Sequence, residues 1–540
     1  MRTKKATGMA WLTAAALSIS TAATAAEWQV DHLVPGGPFK GIHGLGVGPD
    51  GLIYVGSVVG QTLHTVDPRS GKTGVFVPPT AGLADDVEFG PDGTIFWTGF
   101  SNGTLDARSP GSGTRVIASG LPGLNSLSMD AKGRLFATQV FAGDALWEMD
   151  PAGKKPPRLV MKDMGGLNGF DFGPDGRLCG PLWFKKQVVC IDVDTAAIEV
   201  VAEGFKVPAA ANFDSKGRLH AIDNETGEIF RIDTKAHTRE RVAVAPTNLD
   251  NLAFDPEDRL YVSNMSDNAI YEVPLDGSPV RTVVSSPLSL PGGIALQGDT
   301  LYVADTFTLG KIDVRTGEVR DIDRSLLTNG YPSAIAASAT RIASASFESG
   351  VVQLRDRASE HILAVWTGIA RPGAIAVIDE RHVAVAETGT GRLIALDATR
   401  NDARELIADG LVQPMGLVRR GAEWFVSESG AGRVSAIKAG GKRRVVIEGL
   451  QRPEGIAFMP DGRLVVAETG TGRVLLVDTD SGARDVIAHG LPFGIADAPG
   501  YPPGVVVPTG VAADASGTVY ISSDRESSML RLRAAEAVTH

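Results

Sequence analysis

Short apolar runs alternate with turn-forming clusters along almost the whole chain, with little apolar spacing of helical period. In each unit a strand-like run closes on a turn of the Pro-Asp-Gly kind, and an answering run rich in Val, Ile and Tyr follows. The clearest copies are GLGVGPDGLIYVG at 44–56, DVEFGPDGTIFWTG at 86–99, GFDFGPDGRLCG at 169–180 and GIAFMPDGRLVVAETG at 455–470. A third run such as 393–396, a D-x-x-[ST]-G type turn and a fourth run such as 403–407 complete the unit. Such runs, broken by Gly, Pro and Asp at regular offsets, mark antiparallel strands and hairpins. Twelve units, degenerate copies included, recur at a period of roughly 40 residues, the range of propeller blades.

The pattern predicts an all-β protein of two tandem six-bladed β-propellers with four-stranded blades, since one ring usually holds about four to eight. The repeat opens with a lone outer-type strand, 28–33, and closes with a third-type strand, 529–532. A ring closed by a terminal strand leaves no open sheet edge. With 28–33 beside 269–273, and 280–284 beside 529–532, both rings close by one rule. The expected division is therefore 27–275 for the first propeller and 276–540 for the second.

Composition adds the compartment. Residues 1–26 carry Arg2, Lys4 and Lys5, then an apolar run, then a small-residue end with Ala23 and Ala25, the pattern of a secretory signal peptide. A periplasmic or secreted chain is expected, with no membrane span, because no later run approaches the roughly 20 apolar residues required. The formal charge is −11, and loss of the three basic groups in 1–26 takes it to −14. That balance argues against nucleic acid or an anionic membrane as partner. Cys179 and Cys190 lie equidistant from a turn at Phe184-Lys185 and are a candidate cross-strand disulfide in an oxidising compartment. Two buried thiols are the alternative.

Aligning the copies on the turn gives one channel-facing position per blade, and its successor. In the first ring these pairs are His43-Gly44, Asp85-Asp86, Asn125-Ser126, Asn168-Gly169, Ala209-Ala210 and Asp250-Asn251. In the second they are Gly292-Gly293, Ser333-Ala334, Gly373-Ala374, Met415-Gly416, Glu454-Gly455 and Thr509-Gly510. Two aspartates and two asparagines on one axis suit a hard divalent cation, Ca2+ foremost and another divalent ion as the variant. Asp85, Asn125, Asn168 and Asp250 are the candidate metal ligands. His43, a poor calcium ligand, reads as a base beside the metal, with Asp86 as a second candidate for activating water. Ser126 and Asn251, next in the strands, are candidate substrate contacts. The competing reading is that each Asp or Asn satisfies backbone donors where its strand begins.

These residues resemble the senescence marker protein/gluconolactonase family and the related paraoxonases, calcium-dependent six-bladed lactonases. The likeness rests on LNGFDFGPDGRL at 167–178, LDNLAFDPEDRLYVSN at 249–264, ADDVEFGPDG at 84–93 and LNSLSMDAKGRL at 124–135. It covers roughly residues 38–275 and implies a metal site more firmly than a catalytic one. Asp replaces the family's usual Glu, Ala209 stands where another Asn is expected, and His43 precedes the acidic pair instead of following it. The second ring, with AETGTGRL at 386–393, SESGAGRV at 427–434 and AETGTGRV at 467–474, is similar in texture to NHL-type and virginiamycin B lyase-like propellers. Its Glu387/Arg392, Glu428/Arg433 and Glu468/Arg473 pairs read as a repeated structural turn.

Two functions follow. One is an exported metal-dependent hydrolase of lactones or related esters, acting on a small molecule in the first channel. The other is a non-enzymatic double-propeller scaffold with structural calcium, whose second ring binds a protein or glycan partner. The nearly bare second channel favours the latter; the polar first channel favours the former.

Overall fold

The computed structural model describes residues 28–495 and 507–535, so the expected signal peptide at 1–26 lies outside the described residues. The described chain forms twelve four-stranded antiparallel sheets, as blades of a β-propeller do. Eleven take their strands in consecutive chain order. The first runs Leu45–Val47, Ile53–Ser57, Thr62–Val66 and Thr73–Val77. No helix among the described residues is long and apolar enough to cross a membrane.

The turns form for local reasons. In the first sheet Gly51 N donates to Gly48 O at 2.9 Å, and Leu52 N donates to Asp50 Oδ1 at 3.1 Å. Proline sets the first turn angle, aspartate caps the turn, and Gly51 takes the positive φ of 78° that a side chain would resist. The third-to-fourth strand turn is an aspartate turn: Asp67 Oδ1 accepts from Arg69 N at 2.8 Å and Ser70 N at 3.3 Å. Cys179 and Cys190 face each other in register on Leu178–Leu182 and Gln187–Asp192 and are joined by a disulfide.

Neighbouring sheets bury apolar faces against one another, and these contacts divide the twelve into two sets. Innermost strand Leu45–Val47 packs against Ala84–Phe89 on one side and against Leu249–Phe254 of the sixth sheet on the other. Phe39, Leu45, Val55, Ala253, Tyr261 and Ile270 form the shared core of the first and sixth sheets. Ile294–Gln297 of the seventh sheet likewise packs against Ala334–Ala337 and against Val511–Ala513 of the twelfth. Leu33, Ile294, Val303, Ala512, Tyr520 and Met529 make that core.

The expected strand exchange is corrected. Strand Trp28–Val34 does not lie beside Ala269–Glu272; it pairs with Ser528–Ala534, matching Val30 to Leu532 and His32 to Leu530. Arg281–Val284 completes the sixth sheet beside Ala269–Glu272 instead. The reason is local. A short hairpin through Asp276-Gly277 delivers that fourth strand directly, with little loop-closure cost. The open edge left over is that of the twelfth sheet. Asp31 fits it, accepting from Arg531 at 3.0 and 2.8 Å and from Arg533 at 2.8 Å. A boundary at 275 therefore falls inside the sixth sheet, and the last six sheets include the described N-terminal strand.

Candidate functional site

The channel-facing residues stand where the innermost strands begin. His43, Asp85, Asn125, Asn168 and Asp250 line one cavity of about 320 Å³, each delivered by a different sheet of the first six. Ala209, the sixth expected position, is buried in an apolar core. The strands converge closely because of Gly44, whose N–H donates to Asp85 O at 2.7 Å. A Cβ there would lie 2.5 Å from Asp86 Oδ1 and 2.6 Å from Asp85 O.

The three second-position candidates do other work. Through the space left at Gly44, Asp86 Oδ1 accepts from Asn251 Nδ2 at 3.1 Å and from Val87 N at 2.9 Å. Asn251 Oδ1 in turn accepts from Leu252 N at 2.8 Å. Asp86 and Asn251 thus tie the second sheet to the sixth and do not line the cavity, which corrects Asp86 as a base and Asn251 as a substrate contact. Ser126 Oγ donates to Asn125 Oδ1 at 3.1 Å and orients that amide. It reaches the cavity through Asn125.

Burial dominates the electrostatics. It pushes the Asp85 carboxyl up to about 7; His43 opposes this and the Asp250 charge adds to it. Burial alone would lower His43, but the nearby Asp250 carboxylate, with the charge of Asp85, leaves it above its ordinary value. His43 Nδ1 lies 3.6 Å from Asp250 Oδ2. Among the described residues no group of three or more His, Cys, Asp or Glu side chains is arranged to hold a metal ion. The expected ligand set has only two carboxylates, Asp85 and Asp250, with two amides. The buried Asp85, the partly buried Asp250 and two amide oxygens lining one cavity nevertheless fit a hard cation, which would relieve the cost of ionising Asp85.

Sequence reasoning missed the walls. The turn after the second strand contributes an apolar side chain in sheet after sheet: Val59, Phe100, Phe141, Trp183 and Met265 in the first six. The seventh and eighth sheets add Phe307, Phe347 and Glu348 from the same turn, with Tyr331 and Ser333 from the chain leading into an innermost strand. A signal was present. Phe307 stands where Gly389, Gly430 and Gly470 stand in later copies of the turn.

Residues of the last six sheets line a different, smaller cavity. That cavity is about 60 Å³ and is lined by glycine, alanine and aliphatic residues, among them Gly293, Ala334, Ile375, Leu417 and Gly510. Glu454, the one carboxylate at a channel position there, accepts from Thr509 N at 2.7 Å and Thr469 Oγ1 at 3.0 Å. The repeated Glu–Arg turn is structural. Glu387, Glu428 and Glu468 are fully buried, and each accepts from the backbone of the preceding loop, at Ala370, Val412 and Gln451. Arg392, Arg433 and Arg473 close the same turns at 2.7–2.8 Å. The repeated structural turn is thus anchored by a buried carboxylate in each copy.

The SMP-30/Gluconolactonase/LRE-like region, as a family model, matches residues 336–540. The likeness to this superfamily thus covers less than half of the chain. The match begins in the eighth sheet, so it lies outside 38–275, where the motifs quoted for the likeness stand. Both sets of sheets share one strand-and-turn grammar, and family likeness follows that framework. None of the five polar cavity residues of the first six sheets lies within the matched region. No curated protein matches by sequence. Among solved structures, a calcium-binding regucalcin from Agrobacterium tumefaciens is similar at 20% identity over 43% of this chain and 85% of its own, with a TM-score of 0.36. A gluconolactonase from Xanthomonas campestris is similar at 14% identity over 46% of this chain and 89% of its own, with a TM-score of 0.38.

Proposed function

We propose that the twelve sheets form two six-bladed propellers and that the first is an exported, metal-dependent hydrolase of lactones or related esters. The two-ring reading is supported by the packing of the first sheet on the sixth and of the seventh on the twelfth. Export is supported by the pattern of residues 1–26 and by the bonded cysteine pair. One observation carries the activity: five oxygen- or imidazole-bearing side chains, each at or just before the innermost strand of a different sheet, line one cavity of ligand size.

Asp85, Asn125, Asn168 and Asp250 are the residues that would hold calcium, which when bound polarises a carbonyl and stabilises negative charge on its oxygen. The remaining chemistry belongs to the chain. Asp250 beside Nδ1 of His43 favours the proton on that nitrogen and leaves Nε2 to accept one from water. Ser126 keeps the Asn125 amide in one orientation. The apolar walls limit the water around the reacting ester.

Hydrolysis of a lactone panel by wild type, by His43→Ala and after chelation tests this reading. Turnover that survives both treatments unchanged would sink it. Calcium-dependent melting with no turnover of any lactone would instead favour the scaffold, with a protein or glycan partner on the second propeller.

A further inference from the structure

The cavity is not built by the first six sheets alone. Phe307, on the turn after strand Thr300–Asp305, meets the His43 ring edge to face, with centroids 6.2 Å apart and planes at 75°. Tyr331 packs on Phe307 in the same manner at 5.9 Å. Phe347 and Glu348, on the turn after Arg341–Ala345, extend this wall. Phe141 and Trp183, themselves in edge contact at 5.6 Å, line the same cavity as a second aromatic wall.

The junction is fitted. Gly41 of the first set lies under Phe307, and a Cβ at Gly41 would come within 2.7 Å of its ring. Ser266 Oγ donates to Phe307 O at 3.1 Å, and Ser289 Oγ donates to Met265 O at 2.9 Å. Arg324 reaches Asp267 at 2.8 Å, and Ser325 Oγ donates to Glu225 at 2.7 Å. Three wall residues also hold backbone angles that bulky side chains rarely adopt: Phe141 and Tyr331 at φ 66° and Thr306 at φ 40°. Such angles persist only where surrounding contacts enforce them, and they cluster at ligand sites.

We infer that the seventh and eighth sheets supply the specificity wall of the site, through Phe307, Tyr331 and Phe347. The ligand is then one with a compact carbonyl-bearing head and an apolar body. The head meets His43 and the carboxylate–amide end; the body lies between the two aromatic walls. A polyhydroxylated ligand would bury most of its hydroxyls against aromatic faces, with only Thr306, Ser333 and Glu348 as polar partners on that side, which is costly. The inference rests on the proposed hydrolysis for the identity of the head, and on the aromatic walls for the body.

Two probes separate these parts: γ-butyrolactone and the same lactone bearing a hexyl chain at C4. For wild type, kcat/KM should favour the hexyl-bearing lactone. In Phe347→Ala and Phe307→Leu that preference should fall on the order of ten-fold, the scale of a lost apolar contact in a pocket. Leu406→Ala, an exposed apolar residue of the ninth sheet, should leave the preference intact. An unchanged preference in both wall variants, with unchanged melting, overturns the inference. If wild type hydrolyses neither lactone, the proposed activity falls and the wall is judged by binding. Quenching of Trp183 fluorescence by the hexyl-bearing lactone, with Trp183→Phe as the blank, should then weaken about ten-fold in Phe347→Ala. Equal binding by wild type and variant, or no binding by wild type, overturns the wall as well.

Discussion

The first six and the last six sheets are built by the same turns and packed by the same interleaving of apolar faces, yet their channels differ in kind. One ends in a cavity of about 320 Å³ with His43, Asp85, Asn125, Asn168 and Asp250 on its wall. The other closes on glycine, alanine and aliphatic side chains around about 60 Å³. The framework is therefore indifferent to what stands at the start of each innermost strand. What differs is how buried charge is used. Glu454 is held by hydrogen bonds within its own set, whereas Asp85 and Asp250 line the same cavity as the His43 imidazole, with Asp250 3.6 Å from it.

The largest effect expected from this contrast is on turnover. His43→Ala or Asp250→Ala should lower lactone kcat/KM on the order of 10²–10⁴-fold, the worth of a positioned acid–base group. Thr509→Ala, at an equivalent position of the other channel, should change it by less than about two-fold. Equal losses at both places would erase the distinction.

Next comes the crowding at the first channel. Gly44→Ala puts a methyl group against Asp86 Oδ1 and the Asp85 carbonyl and should cost about 2 kcal/mol, read from denaturant unfolding. The pH response of the second channel should be smaller and distinct. Burial raises Glu454 to about 7, so between its ordinary 4.5 and 7 the folded chain holds a proton that the unfolded chain has lost. Stability then falls as pH rises through that window, by at most about 1.4 kcal/mol per unit. Glu454→Gln should flatten the slope.

The smallest effect tests the closure. Asp31→Lys faces Arg531 and Arg533 and should destabilise by under about 1 kcal/mol, with recovery in the Arg531→Glu background.

Much of this was legible in the residues. The Pro-Asp-Gly turns, each with its aspartate cap and glycine, placed the strands, and counting back from them placed five side chains that share one cavity. Asp86 and Asn251 were misplaced because alternation along a strand cannot show that Gly44 leaves a passage between their side chains. The closing strand was misassigned because 28–33 and 280–284 both suit an outer edge. Only the short hairpin at Asp276-Gly277 and the match of Asp31 to Arg531 decide between them. Phe307 was visible as an aromatic where sister turns hold glycine. That it leans on His43 depends on how the two sets meet, which no local pattern encodes.

Calcium-dependent melting of wild type against Asp85→Ala tests the central claim most directly. A cation site at Asp85, Asn125, Asn168 and Asp250 requires that calcium raise the melting temperature of wild type and leave Asp85→Ala almost unmoved. The same calcium response in both proteins, or none in either, would contradict it.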